Sequence, residues 1–157
     1  MGAEERLKAL GIDLAPAPDP VGNYVGAVRT GSLLFLAGHG PVRPDGTMVC
    51  GKVGGDLDLA AARDAARLVG LGLLATLRRE LGTLDAVARL VKLLGMVNCA
   101  PGFDRTPAVI DGCSDLLVDV FGDAGRHARS AVGLAELPFG IAVEIELVAE
   151  VRDASRG

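Results

Sequence analysis

Residues 127–133 have the sequence His-Ala-Arg-Ser-Ala-Val-Gly, and residues 143–146 have the sequence Val-Glu-Ile-Glu, with Leu137-Pro138 between them. Both segments are apolar runs interrupted by charge, which predicts two half-buried strands joined across a turn. A charged side chain in such a strand is costly unless it is paired or used. We therefore interpret Arg129 as the group that holds a small anionic ligand, and Glu144 as a nearby group that moves protons.

A structural interpretation of Arg129 stays open beside the functional one. If the two strands form an antiparallel hairpin, Arg129 can approach Glu144 or Glu146 and form an ion pair with it. Charged groups in such settings occur both in structural networks and in functional sites. The residues alone leave both interpretations in place.

Composition and charge exclude several classes of protein. The chain has 157 residues, of which 50% are hydrophobic, and a net charge of −4. This length fits one domain, residues 1–157, and we attribute part of the apolar excess to a subunit interface. The acidic balance argues against a nucleic-acid partner. No apolar run has membrane-spanning length, so we expect no membrane association.

The expected location is the cytoplasm. Residues 1–8 are charged and lack the apolar segment of a signal peptide. The cysteines, Cys50, Cys99 and Cys113, are scattered, which fits a reducing compartment, and we interpret them as small core residues. With only His39 and His127 as histidines, no metal site is predicted.

Hydrophobic periodicity predicts two helices between groups of strands. The predicted strands are 24–29, 33–37, 47–53, 87–97, 128–135 and 142–151. The predicted helices are 59–81 and 103–121, with a short N-terminal helix at 4–10 followed by an extended proline-containing segment to residue 20. Strands that fall in hairpins around two helices indicate an α+β domain with its helices on one face of the sheet.

Over nearly its whole length the chain resembles the reactive-intermediate deaminase superfamily, the YjgF-type Rid proteins formerly described as L-PSP endoribonucleases. The matching positions are Arg129-Ser130, Leu137-Pro138 and residues 143–146 at the family's spacing, together with Tyr24, Gly38 and Pro41. The resemblance implies a chorismate-mutase-like fold and a homotrimer whose sheets pack into a central barrel. It further implies three clefts between subunits and no cofactor.

The resemblance also implies a reaction, the hydrolysis of enamines and imines such as 2-aminoacrylate to a 2-keto acid and ammonia. In that reaction Arg129 would hold the substrate carboxylate and Glu144 would act as the acid/base. Tyr24 would close the pocket, and the backbone at Gly38 would hold the substrate nitrogen or the attacking water.

Several positions of the implied pocket depart from the best-studied branch of the family. Ala131 stands where that branch has a cysteine, and Ala37 where it has a serine. His39 replaces a frequent glutamine, and Asp111 takes the place of an asparagine on the second helix. A carboxylate at position 111 would repel an anionic substrate unless it pairs with Arg129 or is protonated. The chain therefore resembles a divergent branch of the family.

Three functions compete at this point. The first is an imine/enamine deaminase, and the second is a non-catalytic protein that binds small carboxylates or metabolites in the same cleft. The third, a ribonuclease, is disfavoured by the acidic charge and by a single tyrosine, which provides no aromatic platform for bases. Glu144 discriminates between the first two, because a binding protein needs no acid/base there.

Overall fold

The computed structural model describes residues 1–152 as a five-stranded sheet with three α-helices and three short 3-10 turns. The strands are β1 (Ala27–Thr30), β2 (Leu33–His39), β3 (Val87–Asn98), β4 (Ala128–Leu134) and β5 (Val143–Val151). The helices are α1 (Ala3–Ala9), α2 (Leu59–Leu81) and α3 (Thr106–Phe121). No helix in this part of the chain combines the length and the apolar character that crossing a membrane requires.

The sheet is mixed, with the strand order β1-β2-β5-β3-β4. β1 and β2 form a hairpin whose turn contains Gly31 in the left-handed region (φ 57°). β5 lies antiparallel between β2 and β3, and β4 lies parallel to β3 at the edge. The parallel pair is joined through α3, as a parallel connection requires a crossover. The α+β class predicted from the sequence is confirmed.

The sheet has one face covered by helices, the helix face, and an opposite open face. Along β5 the odd-numbered residues are buried, and Glu144, Glu146, Val148 and Glu150 alternate with them on the other face. Leucines and valines of α2 and α3 pack onto the helix face and form one core with these strands. The period-two pattern of β5 therefore separates the two faces in the way the sequence predicted.

Helix α2 begins and ends where its sequence predicted. Asp58 accepts a hydrogen bond from the Ala61 amide at 2.8 Å and caps the N-terminus. Gly82 ends the helix in a left-handed conformation (φ 78°). The second long helix starts at Thr106 rather than at residue 103, because Pro107 fits its first turn.

The predicted strand 47–53 is wrong. This segment forms only isolated bridges, with Met48 paired to Val42 and Cys50 paired to Ile141. Gly51, with φ of 126°, breaks the extended run between them. Because successive residues pair with different segments, no continuous strand ladder forms, although the β-branched composition favoured one.

The expected hairpin of the last two strands is also wrong, since β3 lies between β4 and β5. The crossover through α3 places β4 beside β3 with the same direction. The connection of residues 135–142 then carries the chain past β3, and β5 enters the sheet between β2 and β3. This order decides the geometry of the candidate site.

Candidate functional site

Arg129 lies on the edge strand β4 and is anchored to helix α3. Its Nη1 donates to Oδ1 of Asp111 at 2.7 Å and to Oγ of Ser114 at 3.2 Å. The side chain of Arg129 is 23% exposed, so the ion pair is sheltered but still reaches solvent. Asp111 therefore neutralises Arg129, which is one of the two conditions under which a carboxylate at this position is compatible with an anionic ligand.

A chain of hydrogen bonds continues from Ser114 away from Arg129. Ser114 Oγ lies 3.0 Å from Nε2 of His127, and Nδ1 of His127 lies 2.6 Å from the carbonyl oxygen of Gly125. The carbonyl can only accept, so Nδ1 carries a proton and Nε2 of the neutral ring accepts from the serine hydroxyl. Burial, together with the charge of Arg129, holds the pKa of His127 below its ordinary value.

One side of the Arg129 guanidinium has few partners. Both protons of Nη1 are used by Asp111 and Ser114, whereas Nη2 has a single long contact, 3.5 Å to the carbonyl oxygen of Pro107. Within residues 1–152, Nε donates to no acceptor. The Nε and Nη2 side therefore retains donors in the fork geometry that binds a carboxylate.

Glu144 belongs to a second group of residues, on the open face of the sheet. Its carboxyl group lies against the backbone of Gly38, where a Cβ would stand only 2.8 Å from Oε1. A side chain at position 38 would displace the carboxyl group, so glycine is what permits this close approach. Burial, and then the neighbouring Glu146, raise the pKa of Glu144.

Gly38 and Glu144 line a cavity of about 700 Å³ that Tyr24 also borders. Tyr24 precedes β1 rather than lying within it, and its hydroxyl accepts a hydrogen bond from the Val21 amide at 3.1 Å. The ring is half exposed at the rim of the cavity. Three predicted site residues, Tyr24, Gly38 and Glu144, therefore come together.

The side chain of His39 does not join this group. Although His39 borders the cavity, its ring is buried against α2, where Nε2 lies 2.8 Å from Oγ1 of Thr76. Nδ1 lies 2.6 Å from the carbonyl oxygen of Ala37, which fixes the neutral ring. Burial is the main cause that lowers the pKa of His39. The bulge between Leu36 and His39 turns this ring into the core, so the ring is directed away from Glu144, and a role of His39 in substrate binding stays a prediction.

The predicted site residues form two half-sites on opposite faces of the sheet. Arg129 pairs in register with Leu93 on the helix face, and Glu144 pairs with Met96 on the open face. The hypothesis of an ion pair between Arg129 and Glu144 or Glu146 is wrong, because β3 separates their strands and Asp111 is the partner. Within one protomer the two groups do not meet.

Ala131 belongs to the Arg129 half-site, two positions along β4 on the same face. Its carbonyl oxygen accepts from Oγ1 of Thr106 at 2.9 Å, which ties the start of α3 to the strand. Its side chain packs against the core. A methyl group here offers no polar contact to a ligand, in contrast to the cysteine of the best-studied branch.

Ser114 and Arg63 were missed from the sequence. Ser114 stands three residues after Asp111 on α3, and this spacing places both on one helix face. Arg63 of α2 lies 4.0 Å from Oδ2 of Asp111 and 3.1 Å from Oδ2 of Asp115. The helical spacing could have indicated Ser114, but only the packing of α2 on α3 brings Arg63 into the cluster.

Cysteine chemistry adds nothing to either half-site. Cys113 is fully buried, and burial raises the pKa of its thiol to about 12. Cys50 is exposed, so its interpretation as a core residue is wrong. Among residues 1–152, no three histidine, cysteine and carboxylate side chains are grouped as a metal site.

This structure is a chorismate-mutase-like α+β protein. Its five-stranded sheet packs against two long helices, and its two C-terminal strands carry Arg129 and Glu144. Residues 4–151 match the family described as "YjgF/chorismate_mutase-like, putative endoribonuclease". Because this match spans nearly the whole chain, the protein belongs to that family, as its residues predicted.

Similar proteins come from distant organisms. Protein TCP17 of Trypanosoma cruzi is 41% identical over 148 residues, which cover 94% of this chain and 92% of that protein. The solved structure of Atu1372, a protein of unknown function from Agrobacterium tumefaciens, is 41% identical with a TM-score of 0.86 and covers 95% of this chain and 93% of its own. The solved structure of E. coli TdcF with bound serine is 27% identical with a TM-score of 0.62, and the match covers 85% of this chain and 92% of that chain.

Proposed function

We propose that this protein is an imine/enamine deaminase that hydrolyses reactive imino acids of the 2-aminoacrylate type to a 2-keto acid and ammonia. The observation that carries the proposal is the position of Glu144 against the backbone of Gly38 in the cavity. Its raised pKa brings a carboxyl group closer to the range where it can both take up and release a proton. A protein that only binds a carboxylate has no need of this arrangement.

The chemistry requires water, a proton shuttle and a fixed carboxylate. Water adds to the imine carbon as Glu144 takes one of its protons, and the electron pair of the C=N bond moves to nitrogen, which receives that proton from Glu144. Glu144 then takes the hydroxyl proton of the carbinolamine as the C=O bond forms, and delivers it to the nitrogen as the C–N bond breaks and ammonia leaves. An enamine first gains a proton at its terminal carbon and loses one from its nitrogen, which gives the imine. Glu144 thus returns every proton that it takes.

A second copy of the chain is required to complete the site. Arg129 and Glu144 lie on opposite faces of one sheet, so the substrate carboxylate and the proton shuttle meet only if two protomers share a cleft. The open face also carries exposed apolar side chains, among them Phe35 and Val132, which a neighbouring sheet would cover. We propose a homotrimer with clefts between subunits, in accord with the assembly typical of the family.

A non-catalytic metabolite-binding protein is the second candidate. It is favoured by the pairing of Arg129 with Asp111, which reduces the positive charge available to an anionic substrate. The bound serine of E. coli TdcF shows an amino acid as a ligand of one similar protein. In this alternative the cleft takes a small carboxylate, and Glu144 only contributes to its polarity.

The release of 2-keto acid and ammonia from freshly generated imino acids tests the proposal. The imino acids are produced in the cuvette by a pyridoxal-phosphate enzyme, and this protein is added at several concentrations. We expect the rate to rise in proportion to the protein above the spontaneous breakdown. A rate equal to the no-protein control on several imino acids contradicts the deaminase, and calorimetry with pyruvate then tests the binding protein.

A further inference from the structure

Hydrogen bonds link Arg129 through Ser114 and His127 to the backbone of Gly125. The Gly125 carbonyl oxygen sets which atom donates in each of these bonds. The carbonyl oxygen of Gly125 accepts from Nδ1 of His127 at 2.6 Å, so Nε2 of the neutral ring is left as an acceptor. Ser114 therefore gives its hydroxyl proton to Nε2, 3.0 Å away, and turns its lone pairs toward Nη1 of Arg129, 3.2 Å away. Each donor in this chain faces one acceptor.

This arrangement determines which side of the guanidinium is free. Asp111 and Ser114 take both protons of Nη1, so the planar group is held at two points on one nitrogen. A single ion pair allows the guanidinium to swing about the contact, whereas a second hydrogen bond at a different angle removes that freedom. The Nε and Nη2 side then keeps donors for a ligand, since its one contact is the 3.5 Å approach of Nη2 to the carbonyl oxygen of Pro107.

We propose that Ser114 and His127 are positioning residues, which orient Arg129 so that its Nε and Nη2 side receives a carboxylate. The inference rests on the proposed function in one respect only, that Arg129 is the carboxylate-binding group. It holds equally for the deaminase and for the binding protein, because it concerns the orientation of Arg129 and not proton transfer at Glu144.

The protein offers a matched control for this inference in a second histidine. His39 has the same bonds as His127: Nδ1 lies 2.6 Å from the carbonyl oxygen two residues earlier, and Nε2 lies 2.8 Å from the Thr76 hydroxyl of a helix. Neither His39 nor Thr76 is hydrogen-bonded to Arg129. Thr76→Val and Ser114→Ala thus each remove a hydroxyl that donates to a histidine, but only the second removes a partner of the arginine.

The experiment observes Arg129 directly by ¹⁵N NMR of the arginine side chains in the protein of residues 1–157. A guanidinium held on both Nη1 protons rotates slowly about its Nε–Cζ bond and gives separate Nη resonances. We expect separate Arg129 resonances in the wild type and in Thr76→Val, and merged resonances in Ser114→Ala. Titration with pyruvate should show affinity reduced by about tenfold in Ser114→Ala, the loss expected for one hydrogen bond to a charged group.

The histidine is tested by a pair of substitutions. His127→Gln retains an acceptor for the serine hydroxyl, whereas His127→Phe retains a flat ring without one. We expect the Gln variant to keep the separate resonances and the Phe variant to lose them, which a purely structural role does not explain.

Two results would overturn the proposal. Separate Arg129 resonances in Ser114→Ala would mean that Asp111 alone orients the guanidinium. Equal losses of affinity in Thr76→Val and Ser114→Ala would mean that general stability, not orientation, is responsible. Neither result depends on hydrolysis, so the proposed reaction and this inference fail separately.

Discussion

The Arg129 half-site and the Glu144 half-site differ in how their charges are satisfied. Arg129 is paired with Asp111 and held by Ser114, all within one protomer. The pKa of Glu144 is raised mainly by burial, and the like charge of Glu146 adds to this effect. The cation is thus fixed in place, while the carboxyl group is left ready to change its protonation state. This is the division expected between a group that binds and a group that transfers protons.

The largest expected effect concerns proton transfer at Glu144. Glu144→Gln keeps the shape and hydrogen-bonding capacity of the side chain but cannot exchange a proton. The enzymatic rate of hydrolysis should fall by about 10²–10⁴-fold, while pyruvate binding persists. The observed decrease will be smaller, because the spontaneous hydrolysis of the imine continues in both proteins. Keto-acid release against time measures this, with Glu150→Gln, on the same face but paired with Arg89, as control. Full activity in Glu144→Gln would move the acid/base role to another group.

The second prediction concerns the planar guanidinium of Arg129 and its effect on pyruvate affinity. Arg129→Lys keeps the charge but loses the planar donors, so pyruvate affinity should weaken by roughly 1.5–3 kcal/mol in calorimetry. Arg126→Lys is the matched control, because Arg126 lies three residues earlier with a side chain 75% exposed and paired with Asp123. Equal binding in Arg129→Lys and the wild type would make Arg129 structural.

The third prediction tests whether the half-sites meet between protomers. Arg129→Lys and Glu144→Gln are co-expressed with different tags, and trimers that carry both tags are purified. Each mixed trimer has one cleft with both native groups, so about one third of wild-type hydrolysis should return. If the mixed trimers are no more active than the separate variants, Arg129 and Glu144 do not share a cleft.

The smallest effect is on stability, and its sign follows from the raised pKa of Glu144. The native protein binds the Glu144 proton more tightly than the unfolded chain, so this carboxyl group reduces stability as pH rises through the window between the two pKa values. Glu144→Gln should therefore raise Tm at neutral pH, and the gain should shrink as pH falls toward about 4, the unfolded value. A lower Tm at neutral pH in Glu144→Gln would contradict the raised pKa.

Local sequence patterns predict most of the helices and strands and the chemical groups available for a site. Helix α2 and strand β5 follow from local periodicity and from Asp58 and Gly82 at the helix ends, because caps and faces depend on neighbours along the chain. Family resemblance predicted Arg129 and Glu144 as functional groups. The prediction of a strand at 47–53 was wrong because its residues pair singly with several different segments, which β-propensity does not report.

Long-range packing sets which of these groups lie close together. The insertion of β5 between β2 and β3 separated the strands of Arg129 and Glu144, whereas adjacency in sequence favoured a hairpin. The register of each strand with β3 then placed the two side chains on opposite faces. The bulge at the end of β2 turned His39 into the core, and the packing of α3 on β4 supplied Asp111 and Ser114 as the partners of Arg129. Strand order and helix packing are set by long-range burial, so the partner of a charged side chain cannot be read from the residues beside it.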